Sequence, residues 1–286
     1  MPMMPIGRKP GCKLDKWSKI MDRCASIRET NITIIPENYW DELSSSQWHQ
    51  IKTERYLYTS DQNGIGDCAA ESKDNTKHAL DTFHGQPLII YNPLGTYYTT
   101  SGGRDNGSVI GDNLEFGREK GCFPEEVWSR SNGWKKQPSN EAYEIASYFK
   151  IREFFYVEDI KEFVSALLQG YYVHAGYSGH AVSFCCYMGR GVLKFKNSWG
   201  DWGENGFGTL KASQINFGYG AYAYKDIVPY YDMVTKKFLC PWTPAKDQLR
   251  LAAQVNRFEQ LKLNAKLQGR RWTATQEEQY YNSVVT

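Results

Sequence analysis

Apolar residues in the first part of the chain recur at helical spacing. Residues 14–21 carry apolar side chains three and four positions apart, as on one face of an amphipathic helix. Residues 69–83 contain neither glycine nor proline and predict a helix that begins directly after Cys68. Glycine and proline are frequent over residues 85–107, which predicts a loop there. Further helices are predicted over about 107–120, 141–149 and 157–168.

The period of the pattern changes near residue 171. Apolar segments between glycine-rich turns predict strands over 171–187, 192–196, 207–211 and 221–224. A helical part followed by a strand-rich part predicts an α+β protein with two lobes. Helical spacing returns after about residue 241 and predicts a C-terminal helical tail.

Composition and charge narrow the choice of partners. The chain has 286 residues, of which 41% are hydrophobic, enough for one large domain or two modest ones. Its 34 basic and 32 acidic residues nearly balance, so we expect no nucleic-acid partner. No apolar stretch reaches the roughly 20 residues that span a bilayer. The N-terminus lacks an apolar signal segment, so we expect a cytoplasmic or virion-associated protein.

The seven cysteines argue for a reactive thiol rather than a metal site. Their number is odd, their spacings are scattered and no CxxC pair occurs, which disfavours a zinc ribbon or a thioredoxin-like motif. We therefore expect no metal and no cofactor. Cys68 differs from the others because it lies at the start of a predicted helix, where the helix dipole and free N–H groups favour a thiolate.

A cysteine nucleophile also needs a base, a group that orients the base and an oxyanion donor. His180 precedes an apolar run in the string Gly-His-Ala-Val and is the candidate base. His174 is the rival, since an even separation on one strand would place both histidines on the same face. Only His180 lies in the Gly-His-Ala-Val string, so we prefer it to His174 as the base.

Three strings together resemble the papain family of cysteine peptidases. Lys196-Asn197-Ser198-Trp199-Gly200, continuing to Phe207, resembles the family signature around its active-site asparagine. The string around His180 resembles the family's histidine motif, and the step of six residues from Gln62 to Cys68 matches the family's spacing. The order Gln, Cys, His, Asn is also that of the family.

The resemblance implies a role for each residue. Cys68 would be the nucleophile, deprotonated by His180, and Asn197 would orient the imidazole. Gln62 and the backbone N–H of Cys68 would stabilise the oxyanion. Substrate-binding positions would be Gly102 and Gly103, which resemble the family's glycine pair, together with Ala181 and Trp199, the latter also shielding the His–Asn hydrogen bond.

The resemblance also implies a domain organisation. We expect a helical left lobe with the nucleophile helix and a β-barrel-like right lobe, over about 34–140 and 141–232. Residues 1–33 would be an N-terminal extension, too short for the family's usual inhibitory proregion. Residues 233–286 would be a C-terminal helical tail with a basic face, either solvated or in contact with a protein partner.

The predicted function is a cysteine endopeptidase acting on an extended polypeptide. Two neighbours of the nucleophile depart from the family pattern: Ala69 replaces a tryptophan, and Asp67 places a negative charge that opposes a low thiol pKa. Two alternatives remain. One is a peptidoglycan-peptide hydrolase of the lysis or phage-entry type. The other is a catalytically silent papain-like module that serves in interaction or assembly.

Overall fold

The computed structural model describes residues 8–16, 19, 23–44, 52–53, 55–56 and 58–244. Of the helical pattern predicted over residues 14–21, residues 14–16 are described and are not helical, while residues 17, 18, 20 and 21 lie outside these ranges. The predicted tail helix beyond residue 244 also lies outside them. In the described part of the chain, no helix is both long and apolar enough to cross a membrane.

Helices form the first lobe and surround a central helix, α2. This helix begins at Cys68 and packs against the other lobe as well, so that nearly all of its residues are buried. Its charged side chains are paired within the protein, as in the ion pair between Lys77 and Asp81. The α-helices of the described residues are α1 (Trp40–Leu43), α2 (Cys68–Phe83), α3 (Pro93–Thr100), α4 (Ile110–Glu119), α5 (Asn140–Ala146) and α6 (Ile160–Leu168), with an irregular helical turn at Trp202–Asn205. Of these, α1 and α6 pack against the sheet of the second lobe.

Helix α3 corrects the prediction of a continuous loop over residues 85–107. Asn92 caps this helix, because its side-chain oxygen accepts a hydrogen bond of 3.0 Å from the N–H of Leu94. Pro93 occupies the first helical turn, where a missing N–H costs nothing. The proline therefore marks the start of a helix, although the sequence pattern was interpreted as a loop.

The second lobe is built on a six-stranded antiparallel sheet with the strand order β1-β6-β2-β3-β4-β5. Strands β1 and β5 are its two edges and do not pair with each other, so the predicted barrel is not closed. The strands are β1 (Phe155–Tyr156), β2 (Tyr172–Tyr177), β3 (His180–Tyr187), β4 (Val192–Lys196), β5 (Phe207–Lys211) and β6 (Ala221–Tyr224).

The segment predicted as one strand over 171–187 is a hairpin. Ser178 and Gly179 turn the chain between β2 and β3, and both have positive φ, 47° and 77°. His174 therefore lies on β2, opposite Ser183, while His180 begins β3. The inference that both histidines share a face of one strand is wrong for this reason.

A small hairpin crosses the predicted start of the tail at residue 233. Its strands are β7 (Tyr231–Asp232) and β8 (Lys237–Phe238). Beyond it, the ring of Trp242 packs edge-on against Phe149 of the helical lobe, with 5.9 Å between centroids. The described beginning of the tail is therefore part of the folded domain.

Candidate active site

Cys68 lies where the central helix meets the sheet. It is the first residue of α2, so its N–H has no partner within the helix. Its Sγ accepts a hydrogen bond of 3.4 Å from the N–H of Ala181, the second residue of β3. The nucleophile predicted from one lobe therefore contacts the strand that carries the predicted base in the other lobe.

His180 and Asn197 form the hydrogen bond that a catalytic dyad requires. The Nε2 of His180 is 2.8 Å from the Oδ1 of Asn197. The same oxygen accepts a bond of 2.8 Å from the N–H of Ser198, which identifies it as the amide oxygen. Because an amide oxygen only accepts, Nε2 carries the proton and Nδ1 is left with a free lone pair. Nδ1 has no hydrogen-bond partner among the residues that the structure describes.

Trp199 covers this dyad. Its ring stacks on the imidazole of His180, with 4.4 Å between centroids and 24° between planes. Its own Nε1 donates to the Oε1 of Gln62 at 3.1 Å. The indole therefore excludes water from the His–Asn bond and links it to the predicted oxyanion donor.

Gln62 is oriented by both lobes. Its Oε1 also accepts a hydrogen bond of 2.9 Å from the hydroxyl of Ser198, so the amide oxygen is fixed and the nitrogen must point the other way. Its Nε2 donates a hydrogen bond of 2.6 Å to the carbonyl oxygen of Ile65, within the same loop. Nε2 also donates to the carbonyl oxygen of Lys9 at 3.1 Å. The carbonyl oxygen of Lys9 thus already occupies the position where the oxyanion of a substrate is expected.

The thiol and the imidazole both favour their neutral forms in this structure. Burial raises the pKa of the Cys68 thiol to about 12, and the hydrogen bond from Ala181 offsets this only in part. Burial lowers the pKa of His180 to about 4, against the opposing effect of its bond to Asn197. A thiolate–imidazolium pair is therefore disfavoured while the site is closed to water.

Asp67, the unusual neighbour of the nucleophile, is wholly buried beneath it. Neither of its carboxyl oxygens has a hydrogen-bond partner in another residue of the described chain. Burial and then the charge of Glu71 raise the pKa of Asp67 well above its ordinary value, although Arg130 opposes them. The carboxyl group thus favours its neutral form, which weakens the expected repulsion of a thiolate.

Residues 8–15 cross the cleft between the lobes, and we call them the strap. The strap runs beside Ser108: the N–H of Ser108 donates to the carbonyl of Gly11 at 2.8 Å, and the N–H of Lys13 donates to the carbonyl of Ser108 at 3.0 Å. On the wall formed by the sheet, the N–H of Cys12 donates to the carbonyl of Gly179 at 2.9 Å. The strap therefore bridges both walls of the cleft directly over the candidate dyad.

Gly11 marks the tightest point of this crossing. A Cβ atom at this position would overlap the carbonyl group of Gly66, two residues before Cys68. Gly107, which neighbours Gly66 on the same wall, is equally close, since a Cβ on it would overlap the carbonyl of Gly11. Only a residue without a side chain fits between these two backbones.

The strap also carries two cations that pair with carboxylates on the rim of the cleft. Arg8 binds Asp61 through both guanidinium nitrogens, one of them 2.7 Å from the second carboxylate oxygen. Lys9 binds Asp105, with 2.8 Å between Nζ and Oδ2. These contacts were not found from the sequence, because they join segments that are about 50 and about 100 residues apart.

The predicted substrate-binding residues are only partly at the cleft. Ala181 contacts the thiol and Trp199 covers the dyad, as described above. Gly102 and Gly103 form the turn after α3, both with positive φ, and their N–H groups donate to carbonyls in the last turn of that helix. The backbone that pairs with the strap is that of Ser108, directly before α4. The sequence signal for this position was Gly107, the last glycine before the predicted helix.

This arrangement of a nucleophile helix, an antiparallel sheet and a cleft between them is the papain-like fold. Xylellain, a cysteine protease from Xylella fastidiosa, superposes with a TM-score of 0.54 and 21% identity, over 77% of this chain and 97% of its own. Procathepsin B S9 from Trypanosoma congolense gives 0.55 and 14%, over 77% and 87%. A digestive procathepsin L2 proteinase from Tenebrio molitor larval midgut gives 0.57 and 14%, over 76% and 78%.

These likenesses confirm the papain-like α+β fold predicted from the sequence. Neither a protein-family model nor a curated protein sequence matches the chain. At identities of 21% and below, the solved structures establish the fold alone.

Proposed function

We propose that this chain is a cysteine endopeptidase. The Sγ of Cys68 attacks the peptide carbonyl while its proton passes to the Nδ1 of His180. The imidazolium then gives that proton to the leaving amine, and a thioester with Cys68 remains. Water hydrolyses the thioester, with His180 as the base, and restores the free thiol.

The observation that carries the proposal is the tautomer of His180. Asn197 accepts the Nε2 proton, so Nδ1 is the nitrogen with a free lone pair, and β3 holds this ring one residue from the N–H that contacts the Cys68 sulfur. A base in the wrong tautomer would be inert, whatever its distance from the thiol.

The oxyanion site is the second support. Gln62 already donates to a peptide carbonyl, that of Lys9, so its amide is oriented correctly for a substrate carbonyl. The N–H of Cys68, free of the helix ladder, would be the second donor.

We further propose that the strap holds the enzyme in a closed state. It occupies the cleft, and the thiol and imidazole beneath it are almost wholly buried. Several of the similar solved structures carry titles that describe proforms or a precursor, which is consistent with a chain segment that blocks a papain-like cleft. Release of the strap would precede substrate binding.

A thiol-directed epoxide tests the proposal. The full chain should become labelled at a single cysteine, identified as Cys68 by peptide mapping, and should hydrolyse an unfolded protein such as casein. Both activities should disappear in Cys68→Ala, while His180→Ala should lose hydrolysis. Labelling that persists in Cys68→Ala would contradict the assignment of the nucleophile.

One observation favours a catalytically silent module as the second candidate. No hydrogen bond joins Cys68 and His180 in the described structure, and the strap fills the cleft. A chain that neither reacts with the epoxide nor cleaves any protein, even after the strap is loosened, would support this candidate.

A further inference from the structure

Both the backbone carbonyl and the side-chain ammonium of Lys9 are bound in the cleft. Its carbonyl oxygen accepts from the Nε2 of Gln62 at 3.1 Å, and its ammonium lies 2.8 Å from the Oδ2 of Asp105. One residue thus places its carbonyl on the oxyanion donor and its side chain in a defined position on the cleft wall. A substrate residue whose carbonyl is attacked would place that carbonyl on the same donor.

Asp105 is prepared to receive a cation. Its Oδ1 accepts hydrogen bonds from the N–H of Gly66 at 2.8 Å and from the hydroxyl of Tyr97 at 2.9 Å. Those two donors fix the carboxylate plane and leave Oδ2 directed at the ammonium of Lys9. Burial acts to raise the pKa of Asp105, but the bonds from Lys9, Gly66 and Tyr97 outweigh it, and the pKa lies below its ordinary value.

The position of Asp105 connects it to the nucleophile. Gly66, which donates to its carboxylate, lies two residues before Cys68 on the same loop. That loop is tightly packed, since a Cβ on Gly66 would come within 3.1 Å of both the Asp105 carboxylate and the Tyr97 hydroxyl. The carboxylate therefore cannot move away from the reacting thiol without breaking the loop that positions it.

We infer that Asp105 makes the enzyme selective for peptides with lysine or arginine at the residue whose carbonyl Cys68 attacks, and that Lys9 occupies this position in the closed state. The inference rests on the proposed peptidase function. It adds the chemical class of the substrate: a polypeptide with a basic side chain on the amino side of the cleaved bond.

The test compares peptides that differ at one residue. Fluorogenic peptides with lysine, arginine, uncharged norleucine or glutamate before the fluorophore are assayed with the full chain and with its Gly11→Ala variant, which loosens the strap. We expect kcat/KM for lysine to exceed that for norleucine about tenfold, as a partly exposed charge-assisted bond allows. Asp105→Asn should bring the ratio of kcat/KM for lysine to kcat/KM for norleucine close to one, whatever its effect on the absolute rates.

Two further variants separate the role of the carboxylate from effects on folding. Asp105→Lys should invert the preference towards glutamate, a gain that a damaged loop would not produce. Asp61→Asn is the matched control: it removes the other rim carboxylate that binds the strap, and it should leave the lysine-to-norleucine ratio unchanged.

The possible outcomes distinguish the inference from the proposed function. Cleavage of the peptides without preference for lysine or arginine, or a preference that survives Asp105→Asn, overturns the inference and leaves the peptidase intact. Failure to cleave any peptide, together with no epoxide labelling of Cys68, overturns the proposed function and the inference with it.

Discussion

Replacing Gly11 by alanine should open the cleft. The added methyl group would overlap the backbone of Gly66, which belongs to the loop that leads to Cys68. Backbone atoms cannot rotate away as a flexible side chain would, so either the strap or the loop must move. The strap is the weaker partner, because the loop is held by the bonds of Gly66 and Gln62 described above.

The size of the effect follows from the balance of forces on the strap. Four backbone hydrogen bonds hold it, the fourth from the N–H of Asp15 to the carbonyl of Gly218, at about 0.5–1.5 kcal/mol each. Two partly exposed ion pairs add at most about 1 kcal/mol each, and the buried pair of Asp15 with Arg23 adds to them. Ordering its eight residues costs roughly 1 kcal/mol per residue, which is of similar size, so the net free energy that holds the strap is small. A clash of about 1–3 kcal/mol therefore changes the open population by about ten- to a hundredfold.

The rate of Cys68 alkylation by iodoacetamide reports the open population. Samples are quenched at intervals, and the modified fraction of the Cys68 peptide is measured by mass spectrometry beside the other six cysteines. Gly11→Ala should react about ten- to a hundredfold faster at Cys68. Leu14→Ala is the control in the same segment, because that side chain is 63% exposed and its loss should leave the rate unchanged.

An unchanged rate would refute this reasoning. If Gly11→Ala is folded, with a thermal midpoint near that of the parent chain, and its Cys68 reacts no faster, then the strap does not limit access to the thiol. Faster alkylation without faster peptide hydrolysis would retain the strap as a cover but would contradict its role in controlling the enzyme.

Three further results are expected. Asn197→Ala should lower kcat about tenfold or more with little change in KM, because His180 loses the acceptor that fixes its tautomer; unchanged steady-state kinetics would contradict this. Burial lowers the pKa of His174 to about 3, below its unfolded value, so stability should fall as pH drops below about 6.5. In urea unfolding, the loss of stability between pH 7 and pH 4.5 should be about 3 kcal/mol smaller in His174→Gln than in the parent chain, and the buried His78 and His180 should account for a loss that remains. Lys77→Ala leaves Asp81 buried without its cationic partner and should cost about 3–5 kcal/mol in the same assay. Glu204→Ala, which removes a largely exposed ion pair with Lys194, should cost less than about 1 kcal/mol.

The sequence identified the candidate dyad because these residues occur in local strings. His180 stands at the start of a strand and Asn197 at the end of the returning one, so the hairpin pattern alone predicts that they approach each other. The rival His174 was misjudged for a local reason too. Gly179 was a turn signal within the predicted strand, and it separates the two histidines onto neighbouring strands.

The strap could not be predicted in the same way. It is held to the cleft walls by backbone hydrogen bonds to Ser108 and Gly179. Residues of almost any type can make backbone hydrogen bonds, so the sequence does not reveal them. Gly11 is the residue of the strap whose type the contact requires. This requirement comes from the backbone of Gly66, which is distant in sequence, so it could not be recognised from the strap alone. The partners of Arg8 and Lys9 could not be predicted either, because the sequence does not indicate which of its acidic residues a given cation will meet.

In the proposed enzyme, the strap would control the chemistry of the site as well as access to it. Burial is the largest cause of both the raised pKa of Cys68 and the lowered pKa of His180, so the same event that admits a substrate also admits water to these two groups. Solvation then moves the thiol pKa down and the imidazole pKa up, and the proton transfer between them becomes favourable. A substrate that replaces the strap would find Gln62 already oriented by Ser198 and Trp199, and Asp105 by Gly66 and Tyr97, so only the protonation of Cys68 and His180 would have to change.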